Sequence, residues 1–165
     1  MANILLTGGS RGIGAAIATA LAGHDVAVHS TRGAYAADLA DPRAPTELWQ
    51  RAMAGLGGID VLINNAGVFE ANPIDASDAD WVANWERTQR INLTASAELC
   101  RFAVRHWQER GVAKDGVRGR IVNVASRAAY RGDSPAHWHY AASKAGMVAM
   151  TKTIARGYAR DGILA

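Results

Sequence analysis

The 165-residue chain has one cysteine, Cys100, so no disulfide within it can staple the fold. Cys100 lies among Leu93, Ala97 and Val104 at helical spacing, which predicts a core position and not a nucleophile. Long apolar runs are missing too. Residues 13–22 and 145–150 fall far short of the roughly 20 residues that a membrane-spanning helix needs. Ahead of the first apolar stretch stands only Met1-Ala2-Asn3, without the charged, apolar and small-residue blocks of a secretory leader, so a cytoplasmic location is expected. The four prolines are scattered, and no Gly/Ser-rich, repeated or single-sign charged stretch divides the chain. One domain over residues 1–165 is therefore expected, with 49% hydrophobic residues to fill its core. The net charge is only +3, and lysines and arginines are interspersed with acids, so no nucleic-acid surface is expected.

What is present is an alternation of short apolar runs and helical patterns. Residues 3–6 form an apolar run broken by Thr7-Gly8-Gly9, after which Ile13, Ala16, Ile17, Ala20 and Leu21 recur at helical spacing. Residues 26–28, 35–39, 60–63 and 121–124 supply four more candidate strands. Further helices are expected at 42–54, through 77–111 and over 140–160. Only residues 31–34 separate the second and third runs, too few for the crossover helix that a parallel pair normally needs. The alternation predicts a doubly wound α/β fold of the Rossmann type.

The stretch Thr7-Gly8-Gly9-Ser10-Arg11-Gly12-Ile13-Gly14 falls between the first strand and the first helix. A dinucleotide fold rests its pyrophosphate on helix amides at that place, and glycines let the backbone turn sharply and approach closely. Gly8, Ser10, Arg11, Gly12, Ile13 and Gly14 are the candidate contacts, although the same glycines alone also suit an ordinary tight turn. Tyr140 and Lys144 stand four apart on a helix, hence on one face. A lysine charge beside a phenol stabilises the phenolate, as general acid/base work near neutrality requires. That spacing also arises by chance on amphipathic helices. Ser126, at the C-terminal end of the fifth run, supplies a context, because doubly wound folds bind ligands at that edge and its hydroxyl can polarise a carbonyl. His137 and His139 flank Trp138 just before Tyr140. With no third ligand in view they predict a substrate-facing loop and not a metal site.

The order Thr7-Gly8-x-x-x-Gly12-x-Gly14, Asn64-Asn65-Ala66-Gly67, Asn92, Ser126 and Tyr140-x-x-x-Lys144 resembles the short-chain dehydrogenase/reductase family, 3-oxoacyl reductase-like members included, across residues 3–160. The resemblance implies an oxidoreductase that moves hydride between a nicotinamide coenzyme and a carbonyl or alcohol. It implies a sheet ordered 3-2-1-4-5, with Tyr140 as acid/base and Lys144 both tuning it and bonding the nicotinamide ribose. Ser126 would orient the substrate. Asn92 would support a water-linked proton relay, although an asparagine there also suits a helix kink or cap. Asn65, Ala66 and Gly67 become cofactor contacts, Asn64 and Thr7 structural residues, and Asp38-Leu39 the adenine edge.

NAD-selective folds tend to carry an acid after the second strand, where this chain reads His29-Ser30-Thr31-Arg32. Ser30, Thr31 and Arg32, with Arg11, would favour the 2′-phosphate of NADP(H), NAD(H) being the alternative and Asp38 the main objection. Family members usually run to about 250 residues. The C-terminal strands and most of the substrate lid are thus expected to be missing, leaving one side of the strand at 121–124 unpaired. A small carbonyl or alcohol substrate and a homo-oligomer are the implied partners. A dinucleotide-binding module without catalysis and a structural partner are the competing readings.

Overall fold

The computed structural model describes residues 1–111 and 116–165. Its sheet is built from β1 (Asn3–Leu6), β2 (Asp25–Ser30), β3 (Tyr35–Ala36), β4 (Val61–Asn64), β5 (Gly119–Asn123) and β6 (Ile163–Leu164). The strands run in the order β3-β2-β1-β4-β5-β6, and every pairing is parallel. In register, Leu5 lies between Ala27 and Leu62, and Leu62 lies beside Ile121, so one buried row crosses the middle of the sheet.

Successive strand residues point to opposite faces, and the two faces are covered unequally. The Leu5 and Leu62 face packs against α2 (Ala44–Leu56), α4 (Ala95–Glu109) and α6 (Trp138–Tyr158) through Leu48, Leu99, Trp107 and Ile154. On the other face Ile4, Leu6 and Ile63 meet Ile17, Ala18 and Leu21 of the α1 helix (Gly12–Ala20) and its end. Val122, in register with Ile63 on that face, remains 48% exposed.

The boundaries follow local chemistry. In α2, Pro45 sits in the first turn, where its missing N–H costs nothing, and the helix stops at Gly57 with φ +70°. This helix was expected two residues earlier. The Ser77 hydroxyl caps α3 (Asp78–Gln89) by accepting the Asp80 N–H at 3.1 Å. The pattern expected as one helix over 77–111 divides there, because a π turn (Arg90–Thr94) separates α3 from α4. The short α5 (Ala128–Arg131) precedes α6, which starts at Trp138 and not at Tyr140. No helix lies between β2 and β3, as their spacing implied, but β3 is two residues long and not five.

One expectation needs correcting. The next strand was expected only to begin at Ile163 and to leave the edge of β5 unpaired, but Ile163 and Leu164 pair with Gly119 and Arg120, so that edge is covered at its N-terminal end. Two residues carry too little alternation to read as a strand until a neighbour pairs with them.

Cys100 is 1% exposed and burial pushes its thiol up to about 12, which agrees with a core role. Trp107 is fully buried, its Nε1 donates to the Ile59 carbonyl at 2.6 Å, and its indole occupies the space a side chain at Gly119 would need. Trp107→Ala should therefore cost about 3–5 kcal/mol in urea unfolding, the range for emptying a large aromatic site. Trp107→Phe should cost clearly less, since a ring remains and only the Ile59 bond is lost. Equal losses in both would show that the hydrogen bond and not the packing carries the site.

Candidate active site

The glycine turn leaves β1 and meets the strap that leaves β4. Gly8 has φ +69°, and a Cβ there would stand 2.7 Å from Ala66 Cα, so the two backbones touch. Thr7 Oγ1 accepts the amides of Asn65 and Ala66, each at 3.0 Å. Asn65 Nδ2 returns two bonds, to the carbonyls of Thr7 at 3.1 Å and Gly8 at 2.9 Å. One layer further in, Asn64 Nδ2 donates to Asn123 Oδ1 at 2.9 Å, and Asn123 Nδ2 to Thr151 Oγ1 at 2.8 Å. Thr7 and Asn64 are thus buried braces of the sheet ends.

Beyond the turn, α1 begins with no side chain capping it and no acid in its first turn. The positive end of the helix dipole and its unpaired amides are therefore available to an anion. A cleft of 530 Å³ opens there. It collects the expected Gly8, Ser10, Arg11, Gly12, Ile13 and Gly14, with Ser30 and Thr31 from the end of β2 and just beyond. Asp38 and Leu39 line it after β3, and Asn65, Ala66 and Gly67 after β4. Arg32 does not line it. Arg32 is exposed, and its backbone is folded onto Ser30, whose hydroxyl donates to the Arg32 carbonyl at 2.6 Å and accepts its N–H at 3.0 Å. The Asp38 carboxylate accepts the Ala40 N–H at 3.0 Å.

His29, Ala37, Val68, Arg87 and Ile91 also line the cleft, and sequence reasoning did not assign them to it. For His29 the available signal was a histidine at the end of a strand otherwise apolar at its inward positions. The apolar members carried none.

The second cluster lies against Gly67. A Cβ placed on that glycine would stand 3.3 Å from Asn92 Oδ1 and 3.6 Å from Lys144 Nζ. Asn92 is fully buried in the π turn. Its Oδ1 accepts the Val68 N–H at 2.8 Å, and its Nδ2 donates to the Val68 carbonyl at 3.0 Å and to Ser143 Oγ at 3.2 Å. A helix irregularity and an approach to Gly67 of the cleft thus coincide at one residue. Lys144 is 4% exposed, its Nζ donates to the Val124 carbonyl at 2.9 Å, and it lies 6.0 Å from the centre of the Tyr140 ring. Burial pushes the lysine below its ordinary value of 10.5.

Tyr140 is half-buried, with Phe69 edge-on at 4.7 Å, and Phe69 in turn stacks on His137 at 4.0 Å. The Phe69 contact had no sequence signal, since a single exposed aromatic is common. Ser126, one residue before the N-cap of α5, accepts the Ala128 N–H on its Oγ at 3.2 Å, a bond that does not use its hydroxyl hydrogen. The expected loop before Tyr140 is corrected in part. His137 is the residue preceding α6, but His139 lies within that helix, 1% exposed and beside Trp85.

A family model described as short chain dehydrogenase matches residues 29–165. The chain is 32% identical to 3beta-hydroxysteroid dehydrogenase 1 of Eggerthella lenta, over 97% of this chain and 66% of that protein. A solved short chain dehydrogenase from Burkholderia cenocepacia in complex with NADP is similar at 34% identity and a TM-score of 0.82, covering 98% of this chain and 70% of that one. The structure of an NADH-dependent reductase, A1-R′, complexed with NAD is similar at 25% identity and a TM-score of 0.86, covering 97% and 74%. The chain spans about two thirds of the length of the curated relatives it matches.

The buried lysine yields a prediction that separates stability from activity. Because its folded value is depressed, the unfolded chain binds the proton more readily. The cost to folding is therefore fully present below the depressed value and is relieved as pH rises from that value towards 10.5. Lys144→Met should raise unfolding stability at neutral pH by about 1 kcal/mol, and that advantage should shrink as pH approaches 10.5. Urea titrations at neutral and alkaline pH check this. A variant less stable than wild type at both would show that the Val124 bond outweighs the buried charge.

Proposed function

The chain belongs to the short-chain dehydrogenase family, and from that footing we propose that it forms the dinucleotide cleft and acid/base site of an oxidoreductase acting on a small ketone or alcohol, with NADP(H) preferred. The observation that carries the reading is Lys144: a buried cation against Tyr140 on one side and against Gly67 of the cleft on the other. Such a charge is costly to folding, and a strained charge of this kind beside a cleft marks a candidate functional group. The cleft fits a dinucleotide because the glycine turn, drawn against Ala66 at Gly8, leads into the uncapped amides of α1.

When bound, the nicotinamide supplies hydride in reduction or accepts it in oxidation. Tyr140 gives its hydroxyl proton to the substrate oxygen in the reductive direction and takes it back in the oxidative one. The Lys144 cation, anchored by the Val124 carbonyl, stabilises the negative charge left on Tyr140. Ser126 donates its free hydroxyl hydrogen to the substrate oxygen. Asn92 fixes the Val68 strap, and the second lone pair of its Oδ1 is the acceptor that a water-linked relay to Lys144 requires.

The preference for NADP(H) rests on Arg11, which lines the cleft, and on the absence of an acid from residues 29–32. Asp38 is the weaker objection now that its carboxylate holds the Ala40 amide. Arg32 reaches the 2′-phosphate only by turning inward from its exposed position. No described helix is long and apolar enough to cross a membrane, and a cytoplasmic homo-oligomer is part of the proposal.

Two measurements on the full-length protein test it. Tyr140→Phe should bind NADPH within about threefold of wild type yet lose about a hundredfold or more in kcat against a panel of ketones, the scale of general acid/base catalysis. Near-normal turnover would remove Tyr140 from its role. A wild-type protein that binds NADPH but reduces none of the panel would favour the binding-module reading. Arg11→Ala should weaken NADPH about tenfold, the low end for a charged hydrogen bond because Arg11 is exposed, and leave NADH nearly unchanged. Equal losses for both dinucleotides would sink the cofactor assignment.

A further inference from the structure

His29, the penultimate residue of β2, has 3% of its surface exposed, and it bonds two segments that both line the cleft. Its Nδ1 accepts the Gly8 N–H at 3.2 Å, and its Nε2 lies 3.1 Å from the Ala37 carbonyl oxygen. Its own carbonyl accepts the Gly9 N–H at 2.9 Å. A carbonyl oxygen cannot donate, so Nε2 must carry a hydrogen; an amide N–H cannot accept, so Nδ1 must not. The bonds therefore select the neutral ring with its hydrogen on Nε2. Two successive amides of the glycine turn are engaged by this one residue, which leaves phosphate recognition to the turn that follows. On its other side the ring holds Ala37, and the next two residues, Asp38 and Leu39, line the same cleft.

We propose that His29 is a positioning residue for the dinucleotide, its neutral imidazole setting the separation between the phosphate turn at Gly8 and the adenine-side segment at residues 37–39. The inference rests on the dinucleotide reading above and adds to it a residue that touches neither the 2′-phosphate nor the reacting atoms. Protonation would place an Nδ1–H against the Gly8 N–H, donor facing donor, and open the latch. Burial first, and the repulsion of Arg51 on α2, hold the ring below its ordinary 6.5. A bond to Ala37 pulls the other way. Arg11 on the turn, Asp38 beyond β3 and Arg87 on α3 are the other charged side chains lining the cleft. The latch is thus intact at neutral pH and opens only on the acid side.

The test is fluorescence titration of NADPH and of NADH against wild type, His29→Asn, His29→Gln and His29→Phe in the full chain, from about pH 8 to about pH 5. Asn sets an acceptor near the place of Nδ1 and cannot titrate. His29→Asn should keep affinity within about threefold at neutral pH and lose the acid-side fall seen in wild type. His29→Phe should weaken both dinucleotides about tenfold, and His29→Gln, which keeps only the Ala37 side, should fall between. Parallel losses for both dinucleotides separate this role from that of Arg11. Wild-type affinity in His29→Phe, or an acid-side fall that persists in His29→Asn, would overturn the inference. So would variants that lose thermal stability while keeping full affinity, since that is a structural role alone. If His29→Phe does not fold, the pH profile of His29→Asn decides. Wild-type protein that binds neither dinucleotide would instead defeat the functional reading on which the inference stands.

Discussion

Everything at the carboxyl end of the sheet depends on the closeness of two backbones, at Gly8 and Ala66. That approach exists because one position has no side chain and because Thr7 and Asn65 exchange bonds across it. It ties the turn after β1 to the strap after β4, and so ties the anion-receptive end of α1 to Gly67. From Gly67 the geometry passes directly to Lys144 and Asn92. The cleft at the glycine turn and the Asn92 and Lys144 cluster, built on different elements, are thereby held in one frame, with little freedom left between them.

Within that frame, side chains divide between bracing and chemistry, and some do both. Asn64, Asn123 and Thr151 form a half-buried chain that braces the sheet. Asn92 braces the Val68 strap but retains an acceptor, and Ser126 holds the first amide of α5 but retains a donor. Lys144 is the clearest conflict between fold and the proposed function, because its burial works against the charged form that the proposal requires. Local cost at a site of this kind is offset by the apolar row from Ala27 to Ile121 beneath it.

What was legible in the sequence was what is local. The glycine turn could be read because close approach and a positive φ demand glycine at Gly8 whatever surrounds it. Tyr140 and Lys144 could be read because helix geometry alone puts them on one face. What depends on partners distant in the chain could not be read. The ring of His29 acquires its meaning from Gly8 and Ala37, which reach it only when β2 lies between β1 and β3. Arg32 looked like a phosphate ligand because charge is visible in a sequence, whereas the Ser30 turn that leaves it exposed is not. His139 likewise looked available until α6 was seen to start at Trp138 and bury it. Two-residue strands such as β6 have no pattern of their own.

The π turn between α3 and α4 gives one of these elements a wider meaning. Each residue of an α-helix advances the side chains by about 100°, so an inserted residue changes the phase of everything that follows. In this chain the phase change falls at residues 90–94, and the residue at its centre is Asn92. The face that α4 turns to the sheet through Leu99, Ala103 and Trp107, and the direction in which Asn92 reaches Val68, are consequently one variable and not two. A lineage that lost a single residue from this stretch would have to rotate its core and surrender its buried asparagine together. The two should be kept or lost as a unit, a constraint on insertions and deletions that arises from helical phase alone.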